Sequence, residues 1–130
     1  MFFLKIIASF FGFLSILNCQ TKTSDALVLI SPQELKELSL LEGIQLIDVR
    51  TPGEYQKGHV QTAENIDFLD ADFETNIQHL DPTKPIIIYC QRGSRSAKCA
   101  SKLIAKGFVK VYDLKGGFVQ WKNSGLNLEN

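Results

Sequence analysis

The sequence predicts an α/β domain with a mainly parallel sheet, and two patterns predict it. Four short runs, Leu27–Ile30, Ile44–Val49, Ile86–Tyr89 and Val109–Leu114, read as buried strands, because apolar runs without polar alternation suit a sheet covered on both faces. Segments bearing helix start and stop signals lie between them, and such alternation belongs to crossover units of a parallel sheet. The chain has 130 residues, 14 basic and 14 acidic, with a pI near 6.7 and a mean hydropathy of zero, which describes one domain. A neutral balance removes the electrostatic basis for a nucleic-acid partner.

The elements follow in order. Residues 1–18 hold five of the nine Phe and a single charge, Lys5, followed by an uncharged stretch of 12 residues from Ile6 to Leu17. This is the layout of a signal peptide, and the stretch is shorter than the roughly 20 residues a spanning helix needs. Ile16-Leu17-Asn18-Cys19 resembles the lipobox of bacterial lipoproteins, in which the Cys becomes the lipidated first residue; Asn18 departs from the usual Gly, Ala or Ser. The expectation is an exported protein of the periplasm or cell envelope, anchored to the membrane through Cys19, with residues 19–26 as a polar tether. Plain secretion and an uncleaved anchor are the alternatives.

After the first strand, Ser31, Pro32 and Glu34 supply an N-cap, an N1 proline and a capping-box acid for a helix running to about Leu40. Asp81–Pro85 is a turn before the IIIY strand. Ser96–Lys106, with Ala97, Ala100, Leu103 and Ile104 on one side and Gly107 as C-cap, is a second helix. Residues 27–126 form the folded domain and 127–130 a tail.

Ligands of parallel sheets bind beyond the strands' carboxyl ends. Two such ends stand out, Asp48-Val49-Arg50 and Cys90-Gln91-Arg92-Gly93-Ser94-Arg95-Ser96. A Cys between a strand and a helix start lies where loop N–H groups and the helix dipole stabilise a thiolate. An ordinary thiol is about 3% ionised at pH 7, and making it mostly thiolate requires about 2.7 kcal/mol. One helix end gives roughly 0.3–2 kcal/mol, leaving the balance to loop N–H groups, Arg92 or Arg95. Gly93 permits a loop conformation that cradles an anion. A nucleophilic sulfur in such a cradle suits sulfur transfer or phosphoryl transfer. The loop of protein phosphatases and arsenate reductases places five residues between Cys and Arg; Gln91–Ser94 make four, which favours sulfur transfer.

These residues resemble a single-domain rhodanese, a thiosulfate sulfurtransferase-like protein. The resemblance runs through LIDVR at 46–50, Glu54-Tyr55, Gly58-His59-Val60, Ala63-Glu64-Asn65-Ile66, the IIIYCQRGSRS loop, and Gly116-Gly117-Phe118 with Trp121; Thr62 and Asp67 stand where the family often has Gly and Pro. It implies a rhodanese-like domain, a five-stranded mainly parallel sheet flanked by helices. It further implies that Cys90 carries sulfur as a covalent persulfide, with no cofactor and no metal, and that residues 91–96 bind the anion. The donor would be a small sulfur anion such as thiosulfate, and the acceptor cyanide, a thiol or a protein thiol. Asp48, Arg50 and Glu54 would be supporting residues, Arg50 and Glu54 as an ion pair fixing the next helix. A binding or sulfur-relay module with little thiosulfate turnover is the alternative function.

Other residues have plainer readings. Cys99 is expected in the core, a resolving thiol for Cys90 being the alternative; Phe118 and Trp121 are core residues, His59 lies in a turn, and His79 is on the surface. No His or Cys spacing suits a metal.

Overall fold

The computed structural model describes residues 23–129. The expected signal segment, Cys19 and the first part of the tether lie outside them. The elements in order are α1 (Thr23–Ala26), β1 (Leu27–Ile30), α2 (Pro32–Leu38), β2 (Gln45–Asp48), α3 (Pro52–Gln56), β3 (His59–Val60), β4 (Glu64–Asn65), α4 (Phe73–Asn76), β5 (Ile86–Tyr89), α5 (Ser94–Ala105), β6 (Val111–Leu114), α6 (Gly117–Asn123) and β7 (Leu128–Glu129).

Five strands form one parallel sheet in the order β1-β6-β5-β2-β4. β5 is its centre, and Ile86, Ile87, Ile88 and Tyr89 are all fully buried, as expected of a strand covered on both faces. Side chains alternate across it. Ile86, Ile88 and Cys90 join Ile47, Val49, Val111, Phe73 and Leu103 on one face, while Ile87 and Tyr89 join Ile30, Leu35, Leu114 and Trp121 on the other. β3 and β7 pair antiparallel in a small second sheet, so the segment expected as a tail contributes a strand.

The cap at α2 forms as expected: Glu34 N–H donates to Ser31 Oγ at 3.1 Å, and Ser31 N–H to Glu34 Oε1 at 3.3 Å. α3 repeats the device with Thr51, Pro52 and Glu54.

Several expectations are corrected. β1 is an edge strand with Leu29 60% exposed, so it is not covered on both faces. The strand expected from Val109 begins at Val111, Val109 being 56% exposed. α2 stops at Leu38, two residues short of Leu40, and α5 begins two residues earlier than Ser96. Its buried face is Ser96, Cys99, Ala100 and Leu103, whereas Ala97 is exposed: the stripe is rotated because Ser96 and Cys99 pack toward β5 and β6. Phe118 and Trp121 are buried as expected.

Candidate active site

The carboxyl ends of β2 and β5 lie side by side, with Asp48 in register with Tyr89, and this brings together the two loops singled out in the sequence. After β5 the chain turns through Cys90–Gly93 into α5. Gly93 is the helix N-cap with φ +116°, a conformation that glycine adopts without steric cost. The Gly93 N–H donates to Cys90 Sγ at 3.1 Å. The Cys90 thiol donates to Ser96 Oγ at 3.4 Å, and the Ser96 hydroxyl donates to the Gly93 carbonyl at 3.2 Å. Cys90 is 1% exposed.

α6 holds the loop from behind. Phe118 N–H donates to the Cys90 carbonyl at 2.8 Å and Val119 N–H to the Gln91 carbonyl at 3.1 Å. A Cβ on Gly117 would lie 2.6 Å from the Cys90 carbonyl oxygen and 2.7 Å from the Gln91 carbonyl, so only glycine permits this approach. In the sequence Gly117 shows only as part of the Gly116-Gly117-Phe118 motif; its packing reason lies in the fold.

Arg50 does not pair with Glu54 as expected. Its Nε meets both Asp48 oxygens at 3.0 Å and its Nη2 meets Oδ2 at 2.7 Å, with both residues essentially fully buried. The remaining donors reach the Gly58 carbonyl at 2.8 Å and Gln91 Oε1 at 3.0 Å, and the guanidinium lies 3.9 Å from the Phe118 ring centre. The turn after β2 folds Arg50 back onto Asp48, and a rigid fork thereby joins β2, the Cys90 loop and α6.

Glu54 serves a different partner. Arg95 Nη1 and Nη2 donate to its two oxygens at 2.9 and 3.0 Å, and this guanidinium holds the Glu54 carboxyl below the usual carboxylate range despite partial burial. Arg95 is therefore tied to α3 as a loop-ordering residue while remaining close enough to feel the charge of Cys90. Arg92 and Ser94 are exposed, Gln91 and Gly93 half-buried, and Ser96 buried. A cleft of about 290 Å³ lined by Arg50, Glu54, Lys57, Gln91, Phe118 and Lys122 opens beside the loop.

Burial pushes the Tyr89 phenol well above its ordinary range, and its oxygen accepts the Val60 N–H at 3.0 Å. Cys99 is a buried free thiol, pushed up to about 12 by burial, which suits a core residue. His59 is buried in β3, contrary to a turn placement, with its Nδ1 3.0 Å from the Tyr55 carbonyl; His79 is exposed beside Glu64. Among the described residues no three His, Cys, Asp or Glu side chains cluster as metal ligands.

Residues 31–124 match the rhodanese-like domain. The chain belongs to the rhodanese-like family, a sulfurtransferase family. It is 34% identical over 106 residues to thiosulfate sulfurtransferase GlpE of Actinobacillus pleuropneumoniae, covering 82% of this chain and 96% of that protein. It is also 42% identical over 77 residues to the uncharacterized protein YqhL of Bacillus subtilis, covering 59% and 60% of the two chains. Among solved structures, the rhodanese-like domain protein of Staphylococcus aureus superposes with a TM-score of 0.66 at 29% identity, over 78% of this chain and 98% of that one. The Alr3790 protein of Anabaena gives 0.70 at 25% identity, over 78% and 91%. Within this rhodanese-like fold, Thr62 adopts φ +70°, which accounts for the glycine often found there.

Proposed function

We propose that this rhodanese-like protein moves sulfane sulfur from an anionic donor such as thiosulfate to a thiophilic acceptor through a persulfide on Cys90. The Cys90 thiolate attacks the outer sulfur of thiosulfate. The S–S bond of the donor breaks, sulfite leaves with the bonding electrons, and Cys90 keeps a terminal sulfur anion. Cyanide or a thiolate then attacks that sulfur, giving thiocyanate or a new persulfide and restoring the Cys90 thiolate. This is covalent catalysis by an activated sulfur.

The observation that carries the reading is the Gly93 N–H donating to Cys90 Sγ at 3.1 Å in a loop that opens directly into the 12-residue helix α5. A backbone donor and the helix dipole both favour negative sulfur. The loop N–H groups serve the persulfide in the same way, and Arg92 and Arg95 place positive charge near the anionic donor. The similarity to proteins named thiosulfate sulfurtransferase supports this donor. The lipobox-like Ile16–Cys19 segment supports an exported, membrane-anchored form, tested by the mass of the mature N-terminus and by extraction with and without detergent.

Thiocyanate formation from thiosulfate and cyanide tests the activity. Wild type turns over, and Cys90→Ser loses turnover while keeping its fold; native rates in Cys90→Ser would overturn the assignment. A persulfide that forms from other donors with negligible thiosulfate turnover would identify a relay module instead.

A further inference from the structure

The cleft beside the cysteine loop carries two positive charges that no carboxylate balances among the described residues. Arg50, Glu54, Lys57, Gln91, Phe118 and Lys122 line it, and its charged side chains fall into two groups. Arg50 gives its donors to the Asp48 carboxylate, the Gly58 carbonyl and Gln91, and Glu54 is taken by both terminal nitrogens of Arg95. Each of these two is neutralised by its own partner. Lys57 at the end of α3 and Lys122 in the last turn of α6 are exposed, and neither has an ion-pair partner among the described residues. Lys122 Nζ instead lies 5.5 Å from the centre of the Phe118 ring.

Two walls join this cleft to the loop of the reacting sulfur. Gln91 follows Cys90 in the chain, and its side-chain oxygen is held by Arg50 Nη1 at 3.0 Å. Phe118 forms an aromatic wall, and its N–H holds the Cys90 carbonyl at 2.8 Å. Cys90 is 1% exposed, so an acceptor must reach the outer sulfur of a persulfide, about 2 Å beyond Sγ. The cleft volume of about 290 Å³ is close to the lower bound of small-molecule sites, about 300 Å³, which suits a small acceptor. The donor anion already has the loop N–H groups, Arg92 and Arg95. Lys57 and Lys122 are left for the second reactant.

We propose that Lys57 and Lys122 clamp the carboxylates of the sulfur acceptor, which is a small thiol bearing two of them, one for each ammonium. The assignment rests on the reading of Cys90 as the sulfur carrier. The acceptor thiolate attacks the outer sulfur of the Cys90 persulfide and a new S–S bond forms. The S–S bond to Cys90 breaks with its electrons left on Sγ, and the acceptor leaves with a terminal sulfur anion. Thiolate is consumed and thiolate is restored, so the step needs no further reactant. The lysines touch none of the reacting atoms and act as specificity-determining residues. An ammonium on a flexible stem pairs with carboxylates without demanding a fixed planar geometry, and exposed pairs of this kind are each worth up to about fivefold in affinity.

The test isolates the acceptor step. Protein loaded with sulfur from polysulfide is mixed with 2-mercaptoethanol, 3-mercaptopropionate, mercaptosuccinate or cysteamine, and discharge of the Cys90 persulfide is followed by mass spectrometry after timed quenching. Each thiol is compared with itself across protein variants, so its intrinsic nucleophilicity cancels. In Lys57→Gln/Lys122→Gln the discharge rate falls about tenfold for the dicarboxylate mercaptosuccinate, about threefold for the monocarboxylate, and least for neutral 2-mercaptoethanol. Lys57→Glu/Lys122→Glu reverses the ranking, and the cationic cysteamine gains on mercaptosuccinate. Equal losses for all four thiols, or an unchanged mercaptosuccinate rate in the folded double variant, would overturn the proposal. A second arm needs no sulfur on Cys90: succinate added to unloaded wild type shifts the amide NMR signals of Lys57, Gln91 and Lys122, and the double Gln variant loses the response. The absence of such shifts in wild type would also overturn the clamp. Failure of the sulfur-carrier reading shows separately, as a protein that binds succinate but takes up no sulfur on Cys90.

Discussion

Arg95 at the start of α5 and Glu54 in the first turn of α3 meet in two parallel hydrogen bonds of 2.9 and 3.0 Å. The same carboxylate accepts the Thr51 N–H at 3.1 Å, so one side chain both caps a helix and anchors the cysteine loop. Glu54→Gln keeps a capping acceptor but removes the charge. The expected result is a loss of stability below about 1 kcal/mol, because the pair is partly exposed, together with a clear fall in kcat/KM as the loop loosens. Unchanged kinetics would show that Arg95 does not need this anchor. The carboxyl is held below its ordinary range, so its contribution is complete above that range and is lost as pH falls through the folded value; wild type and variant melting temperatures converge in acid.

Arg50 and Asp48 form the buried counterpart. Removing Arg50 leaves Asp48, 0% exposed, without its countercharge, and Arg50→Ala is expected to cost about 3–5 kcal/mol in urea denaturation. Arg50→Lys should recover little of this. An ammonium cannot serve Asp48, the Gly58 carbonyl and Gln91 together in the planar fork observed.

Gly117→Ala places a methyl group 2.6 Å from the Cys90 carbonyl oxygen at a backbone φ of +65°. The φ strain alone is about 1–2 kcal/mol, and the backbone contact must be relieved by moving the loop. Lower stability together with an altered alkylation rate of Cys90 is expected. A stability loss with an unaltered alkylation rate would show that the loop does not lean on α6. Gly93→Ala meets nothing within 4 Å, so it should show strain without this displacement.

Asp113 makes the stability of the fold depend on pH. Its carboxyl rises from 3.8 to about 6 on folding, which corresponds to on the order of 3 kcal/mol. Because the folded value is the higher one, stability is full below the unfolded value and declines as pH rises through the folded one. Asp113→Asn should therefore be more stable than wild type at pH 7, by about 1–3 kcal/mol, with the difference vanishing near pH 4. An equal gap at both pH values, read by denaturant unfolding, would contradict this.

Local signals were the legible ones. The Ser31 cap, the IIIY strand and the glycine loop after Cys90 are set by neighbours in sequence, and the structure repeats them with shifts of a residue or two. Thr51-Pro52-Gly53-Glu54 carries the same capping signature as Ser31-Pro32-Gln33-Glu34, so the α3 cap is legible in the sequence and already occupies the Glu54 carboxylate that an Arg50–Glu54 pair would need. That pairing does not form because Arg50 folds back onto Asp48 within its own turn, while Arg95 reaches Glu54 from 41 residues away. β4, two residues long with an exposed Glu64, has no apolar run to announce it. Asp113 is hidden in an apolar strand, since only the parallel register that sets it beside Ile88 of β5 and the packing of α5 on β6 bury its carboxyl.

The proposed passage of sulfur through Cys90 is read by intact-protein and peptide mass spectrometry after brief exposure to thiosulfate. One added sulfur atom is expected on the peptide containing Cys90, discharged by cyanide and absent from Cys90→Ser, with Cys99 unmodified. Added sulfur on Cys99 instead, or equal labelling of the Cys90→Ser protein, would contradict it.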